Sequence, residues 1–541
     1  MSWRAWGLIG SCVALAACVG NIGGEGEAQV TPASGTESGA FAPPAMRRLT
    51  RTQYANAVAQ VFGEAVTVGT ELEQDEASEI FLSIGASRVG TSERGVEQYQ
   101  AAALDVATQV VDAAADQAPL ADCAPFAPGD LCIDEVIAHY GRRLWRRPLT
   151  DVELAQLVAI TESVEAPTAD TQRVGMIYAL AALLAAPSFI YVPEVGREVP
   201  GGRAVTSNEM ASRLALTLWN SVPDDTLLDA AERGGLDTPE GIREQALRML
   251  DTPAAEDLAT RFLGESWHVA VLDPNDKSTE MFPEWTPELV DAYKTEFDLF
   301  LRDLTVDRDG DLRELFIGRT SFLNDVLGDL YGVSIDTGDH APTSLPQERS
   351  GLLTTPAVIA AISPTDRTSP THRGVFILED ILCTEVPPPP PSVDDVIPED
   401  DTAGEPKTLR ERLAKHREDP ACAACHDLFD PMGFSFESFD AIGRFRTEDV
   451  NGAPVDDTAS FDGEDFRGVA PLAEKVAEDP RMTQCLTHRL YAFVAGHHPE
   501  DGEEAVVESI TDALRGHHRF RTLVLDIVTS DAFRYLGPEA D

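Results

Sequence analysis

The stretch DPACAACHDLFDPMGFSFESFDAIGRFRTED, residues 419–449, decides how the rest of the chain is read. It contains Cys422, Cys425 and His426, the only C-x-x-C-H in 541 residues. That pattern is the attachment site of a c-type haem. Two thiols three apart add to the two vinyl groups of one porphyrin, and the adjacent imidazole takes the iron as proximal ligand. One covalent haem c is therefore the expected cofactor. Zinc is the rival, and a structural zinc site needs four Cys or His ligands. Here Cys422, Cys425 and His426 would need a fourth, such as His416, and His426 sits awkwardly beside Cys425 for the same tetrahedral ion. In a further alternative, Cys422 and Cys425 form a strained disulfide staple.

Haem attachment needs an oxidising compartment outside the cytoplasm, and the N-terminus fits one. Residues 1–18 read MSWRAWGLIGSCVALAAC, with Arg4 ahead of an apolar run too short to span a bilayer. Leu15-Ala16-Ala17-Cys18 resembles a bacterial lipobox. The expectation is a signal peptide over 1–17, acylated Cys18, and an outer-membrane lipoprotein facing the periplasm or the cell surface. An ordinary secretory signal cut after a small residue is the alternative. Residues 18–45 are rich in Gly, Ala, Ser, Thr and Pro and read as a flexible tether. The apolar run at 176–184 is too short to cross a membrane and reads as a buried helix, so contact with the membrane is expected through lipid only.

Lys and Arg number 42 against 92 Asp and Glu, a net charge of −50. Nucleic acid is thereby disfavoured, since phosphate binding needs clustered cations. Of 8 cysteines, Cys12 leaves with the signal and Cys18 takes lipid. With Cys422 and Cys425 on haem, Cys123, Cys132, Cys383 and Cys485 remain, an even set in an oxidising compartment. Cys123–Cys132 and Cys383–Cys485 are the expected pairs, and four cysteines allow three connectivities.

The body reads as mainly α. Helical spacing of apolar residues recurs at 47–63, 96–117, 132–146, 171–186, 206–220, 239–250, 253–269 and 286–303. Thr150-x-x-Glu153 is a capping box. Residues 312–331 read as two short helices around Gly318, and 464–535 as helical. Asp307, Asp309 and Asp311 resemble a calcium loop, but the later bidentate Glu is missing. Five prolines at 387–391 and an acidic run at 393–405 read as an extended spacer. The expected modules are 46–120, 121–192, 206–335, 346–450 with the Pro-rich spacer and the C-x-x-C-H, and 460–541.

The order of these stretches is similar to a bacterial family, the planctomycete-type cytochrome c-like proteins, also found in myxobacteria. RRLTRTQYANAVAQVFG resembles its opening module and RRLWRRPLTDVELAQL its second. LAAPSFIYVPE with EMASRLALTLWNSVPDDTLLDAA resembles its large helical module. RSGLLTTPAVIAAIS, RTSPTHRGVFILEDILCTEVPPPPP and CAACHDLFDPMGFSFESFDAIGRFR resemble the fourth, and CLTHRLYAFVAG the last. The resemblance implies an exported, mainly α protein of several helical modules followed by a small cytochrome c-like domain. It leaves the biochemical role open.

For the sixth iron ligand, Met432 lies too close to His426 in the chain to round the porphyrin easily, whereas Met482 leaves ample chain. Met482 is the first choice, and His488, His497 and His498 are further donors. Phe434, Phe436 and Phe439 are candidates to wall a haem or to pack a core, and Arg444 and Arg446 to meet propionates or nearby carboxylates. The leading expectation is one-electron transfer, with the redox partner unspecified. A surface binding or structural protein and a haem enzyme acting on a small oxidant such as peroxide are the alternatives.

Overall fold

Threonines start the helices by satisfying the free N–H groups of the first turn. Thr50 accepts from the Gln53 N–H while the Gln53 side chain bonds back, opening the helix Arg51–Phe62. Thr206 and Glu209 do the same for Ser207–Leu218, and Thr150 and Glu153 for Asp151–Glu162. In the computed structural model the described residues are 41–538 other than 70, 79, 89, 117–131, 163–168, 388–405 and 417–419. They lie within one compact unit, Gly39–Asp541. The class is mainly α, with 23 helices among the described residues and 58% of those residues helical. Cys18, Cys123, the signal, most of the tether and the spacer from 388 to 405 fall outside the described residues.

Short antiparallel ladders tie distant parts together. Ala45–Arg48 pairs with Tyr191–Glu194, Ala45 opposite Glu194 and Arg48 opposite Tyr191. Arg197–Val199 and Gly202–Ala204 form a hairpin, and the C-terminal strand Tyr535–Leu536 joins its edge, Arg203 opposite Leu536.

Three stretches differ from the sequence reading. Between the helices Glu314–Ile317 and Asp325–Tyr331 runs a strand, Thr320–Leu323, paired with Ala341–Ser344. The 253–269 segment splits into a turn at Pro253–Ala255 and a helix at Leu258–Ser266. The last module begins with a hairpin, Thr458–Phe461 against Glu464–Arg467. Asp462 and Gly463 turn it with φ of 50° and 82°, the left-handed pair a two-residue hairpin requires.

Two hydrophobic cores result. The first draws on Leu49 to Val222, with Tyr54, Tyr99 and Phe189 stacked at its centre. The 176–184 run is its backbone, with Met176, Leu180, Leu183 and Leu184 buried. The second core reaches from Phe81 to Leu536. It packs Trp267 and Phe316 of the large module with Phe376, Phe429, Phe436 and Phe439 of the motif module and Tyr491 and Leu523 of the last. Cys425 packs against this second core, and Phe429, Met432, Phe436 and Phe439 after the motif are part of it. Among the described residues no helix is long and apolar enough to cross a membrane.

Candidate functional site

The motif lies in one helix, Pro420–Gly433. Positions 422 and 425 are one turn apart on it, hence on one face, and His426 follows directly. Cys425 is a free thiol, half-buried against the large core. The side chains of Cys422 and His416 lie outside the described residues.

His426 is held from below. Its Nδ1 donates to Oδ2 of Asp430 at 2.9 Å, one helical turn on. Asp430 is fully buried, and its Oδ1 accepts from Thr371 Oγ1 at 2.9 Å. Phe429 meets the imidazole edge-on, ring centroids 5.1 Å apart. Thr371 belongs to the helix Pro370–Phe376, which crosses the motif helix at a glycine contact. A Cβ on Gly433 would meet the Pro370 carbonyl oxygen at 1.8 Å, and one on Gly374 the Phe429 carbonyl oxygen at 2.0 Å. Only glycines permit that approach, so the crossing itself delivers Thr371 to Asp430.

Beyond the glycines, Arg373 clamps the chain after the motif. Its buried guanidinium donates to the carbonyls of Phe436 (2.8 Å), Phe439 (3.1 Å) and Asp440 (3.0 Å) and to Glu437 (3.2 Å). The stretches RTSPTHRG and DPMGFSFESFD are therefore one structural unit. Burial pushes the Arg373 guanidinium down to about 10 even so.

Other predicted site residues lie elsewhere. Phe436, Phe439 and Met432 are buried in the large core, and Phe434 packs with Leu409 and Leu413. Met482 is also core, lining a small internal cavity with Phe262, Trp267, Phe316, Leu486 and Arg489, a set without His426. His488 spends both ring nitrogens, on the Gln484 carbonyl and on Glu504, each at 2.8 Å. His497 Nδ1 bonds the His498 carbonyl at 2.8 Å. Arg444 pairs with Glu284 (2.6 Å), and Arg446 with Glu437 (3.0 Å) and Asp449 (2.8 Å). Both arginines thus meet carboxylates. Asp311 is taken by Arg313 at 2.7 Å rather than by a cation loop. Among the described residues no three His, Cys, Asp or Glu are grouped to hold a metal ion.

Cys383 and Cys485 form a disulfide, Cα atoms 5.2 Å apart, joining the motif module to the last helical module across 102 residues. Cys132 is also disulfide-bonded. Asp430 and Thr371 are the site residues that sequence reasoning missed. The spacing of His426 and Asp430, four apart on one helix, was a usable signal.

Five sequence families match the chain, each described as a protein of unknown function. They are DUF1587 over 47–112, DUF1595 over 132–194, DUF1592 over 205–333, DUF1588 over 349–449 and DUF1585 over 462–533. No curated protein and no solved structure matches. DUF1588 contains both the Arg373 clamp and the His426–Asp430–Thr371 arrangement. Five tandem domains of the planctomycete cytochrome c-like family are thus present along the chain.

Proposed function

We propose that this protein is an exported, lipid-anchored electron carrier with one covalent haem c. In this reading Cys422 and Cys425 are the attachment points, His426 is the proximal iron ligand, and Cys18 carries the lipid. The observation that carries the proposal is the anchored imidazole. A histidine directly after the second cysteine of the motif has its Nδ1 fixed by a buried carboxylate. An outer partner of this kind on one ring nitrogen is what ligating histidines need. Cys425 and His426 are both half-buried on this helix, a setting that suits a flat apolar group lying against it.

When bound, haem would supply a one-electron change at iron. The chain's own residues do the rest. The helix keeps the attachment positions one turn apart, Asp430 and Phe429 hold the imidazole, and Arg373 fixes the chain that follows. Met482 is buried in the core, and the sixth position is assigned to no residue here.

The test is export of the full chain from cells that carry haem-attachment machinery. A haem stain that survives denaturing electrophoresis, and an intact mass raised by one porphyrin, are expected. Cys422→Ala with Cys425→Ala should abolish both. Colourless protein of unmodified mass would overturn the reading. Cys18→Ala should release the protein from the membrane fraction.

A further inference from the structure

The arrangement beneath His426 asks for more than a scaffold. A backbone carbonyl or a water would suffice to orient an imidazole, yet here the acceptor is a carboxylate. That carboxylate is fully buried, where its charge is costly, and it is supported by a hydroxyl from a helix 59 residues away in sequence. Two glycines are spent on the crossing that brings Thr371 to it.

We infer that Asp430, held by Thr371, is the positioning residue that lowers the electron affinity of the centre at His426. The inference rests on the haem reading above. The physical argument has two parts of the same sign. A carboxylate accepting the Nδ1 proton makes the imidazole more basic, and a more basic ligand favours the oxidised iron. A carboxylate behind the imidazole that would hold the iron would also favour the more positive oxidation state, and low polarity would magnify that attraction. Reduction adds one electron at iron and leaves the proton shared between Nδ1 and Oδ2 in place.

The experiment uses the full-length exported protein with haem attached, and follows the midpoint potential by spectroelectrochemical titration. For Asp430→Asn, the reduced-to-oxidised ratio at the wild-type midpoint should rise at least tenfold, equivalent to about 59 mV for one electron. Thr371→Val takes a hydrogen-bond donor from the carboxylate and sharpens its charge, so it should move the potential the opposite way by less, and Thr371→Ser should restore it. In the ferrous state the iron–imidazole stretch should fall in Asp430→Asn, a change that a purely structural role would not produce. If Asp430→Asn does not fold, Thr371→Val and Thr371→Ser decide the matter alone. Haem-loaded variants with wild-type potential and stretch would overturn this inference and leave the haem reading standing. Wild-type protein without haem would overturn both, and the stain separates the two failures.

Discussion

Glu194 and Glu296 are both buried carboxyl groups, and they titrate in opposite directions. Glu194 lies where the N-terminal strand pair meets the large module. It accepts from Arg47 Nη2 and from Arg213 Nε and Nη2, each at 2.9 Å. Burial alone would raise it, but the two guanidiniums outweigh burial and hold it at about 2. Glu296 lies on the helix Pro287–Arg302, where its Oε1 accepts from Ser321 Oγ at 2.5 Å and from the Tyr331 hydroxyl. Burial raises it to about 7 against those hydrogen bonds. The two sites are equally dry. The charge of the donors decides whether the proton stays.

Substituting the first carboxylate should do the most damage. Glu194→Gln leaves two buried guanidiniums facing a neutral amide, and a loss of about 3–5 kcal/mol in denaturant unfolding is expected. The wild-type acid limb follows from the same site. Its contribution is complete above the unfolded carboxyl value near 4.5, and it fades as pH falls toward about 2. Melting curves between pH 5 and 2 should therefore flatten in Glu194→Gln. Glu296 has the reverse sign. Its folded form keeps the proton longer than the unfolded chain does, so stability falls as pH rises from about 4.5 through about 7. Glu296→Gln should remove that slope and melt above the wild type at pH 8, by roughly 1–3 kcal/mol. Gly463→Ala touches neither carboxyl. It forces a side chain onto φ of 82°, costs about 1 kcal/mol, and should leave both pH slopes unchanged.

What was legible in the sequence was local. The cap at Thr150 needs only a three-residue spacing, and it fell where the pattern put it. The Asp462-Gly463 hairpin turn was also present as a signal, but helical apolar spacing further along overrode it. The Arg47–Glu194–Arg213 clasp was out of reach, because Arg47 and Glu194 lie 147 residues apart. At the candidate site the Cys and His spacing was readable and so, in principle, was the His426–Asp430 pair. Thr371 was not, since nothing in its own neighbourhood marks it as the hydroxyl that reaches a carboxylate in another helix. The shared core was hidden for a related reason. Each module shows its own helical periodicity, and periodicity does not say which apolar faces meet.

The strand Tyr535–Leu536, which completes the sheet begun at Arg197, has a consequence for biogenesis. A ribosome releases residue 205 long before residue 536, yet the interior needs both. The great central body therefore waits, unclosed, until the carboxyl end is delivered, and a chain cut short anywhere after its first third should offer proteases an unfinished fold.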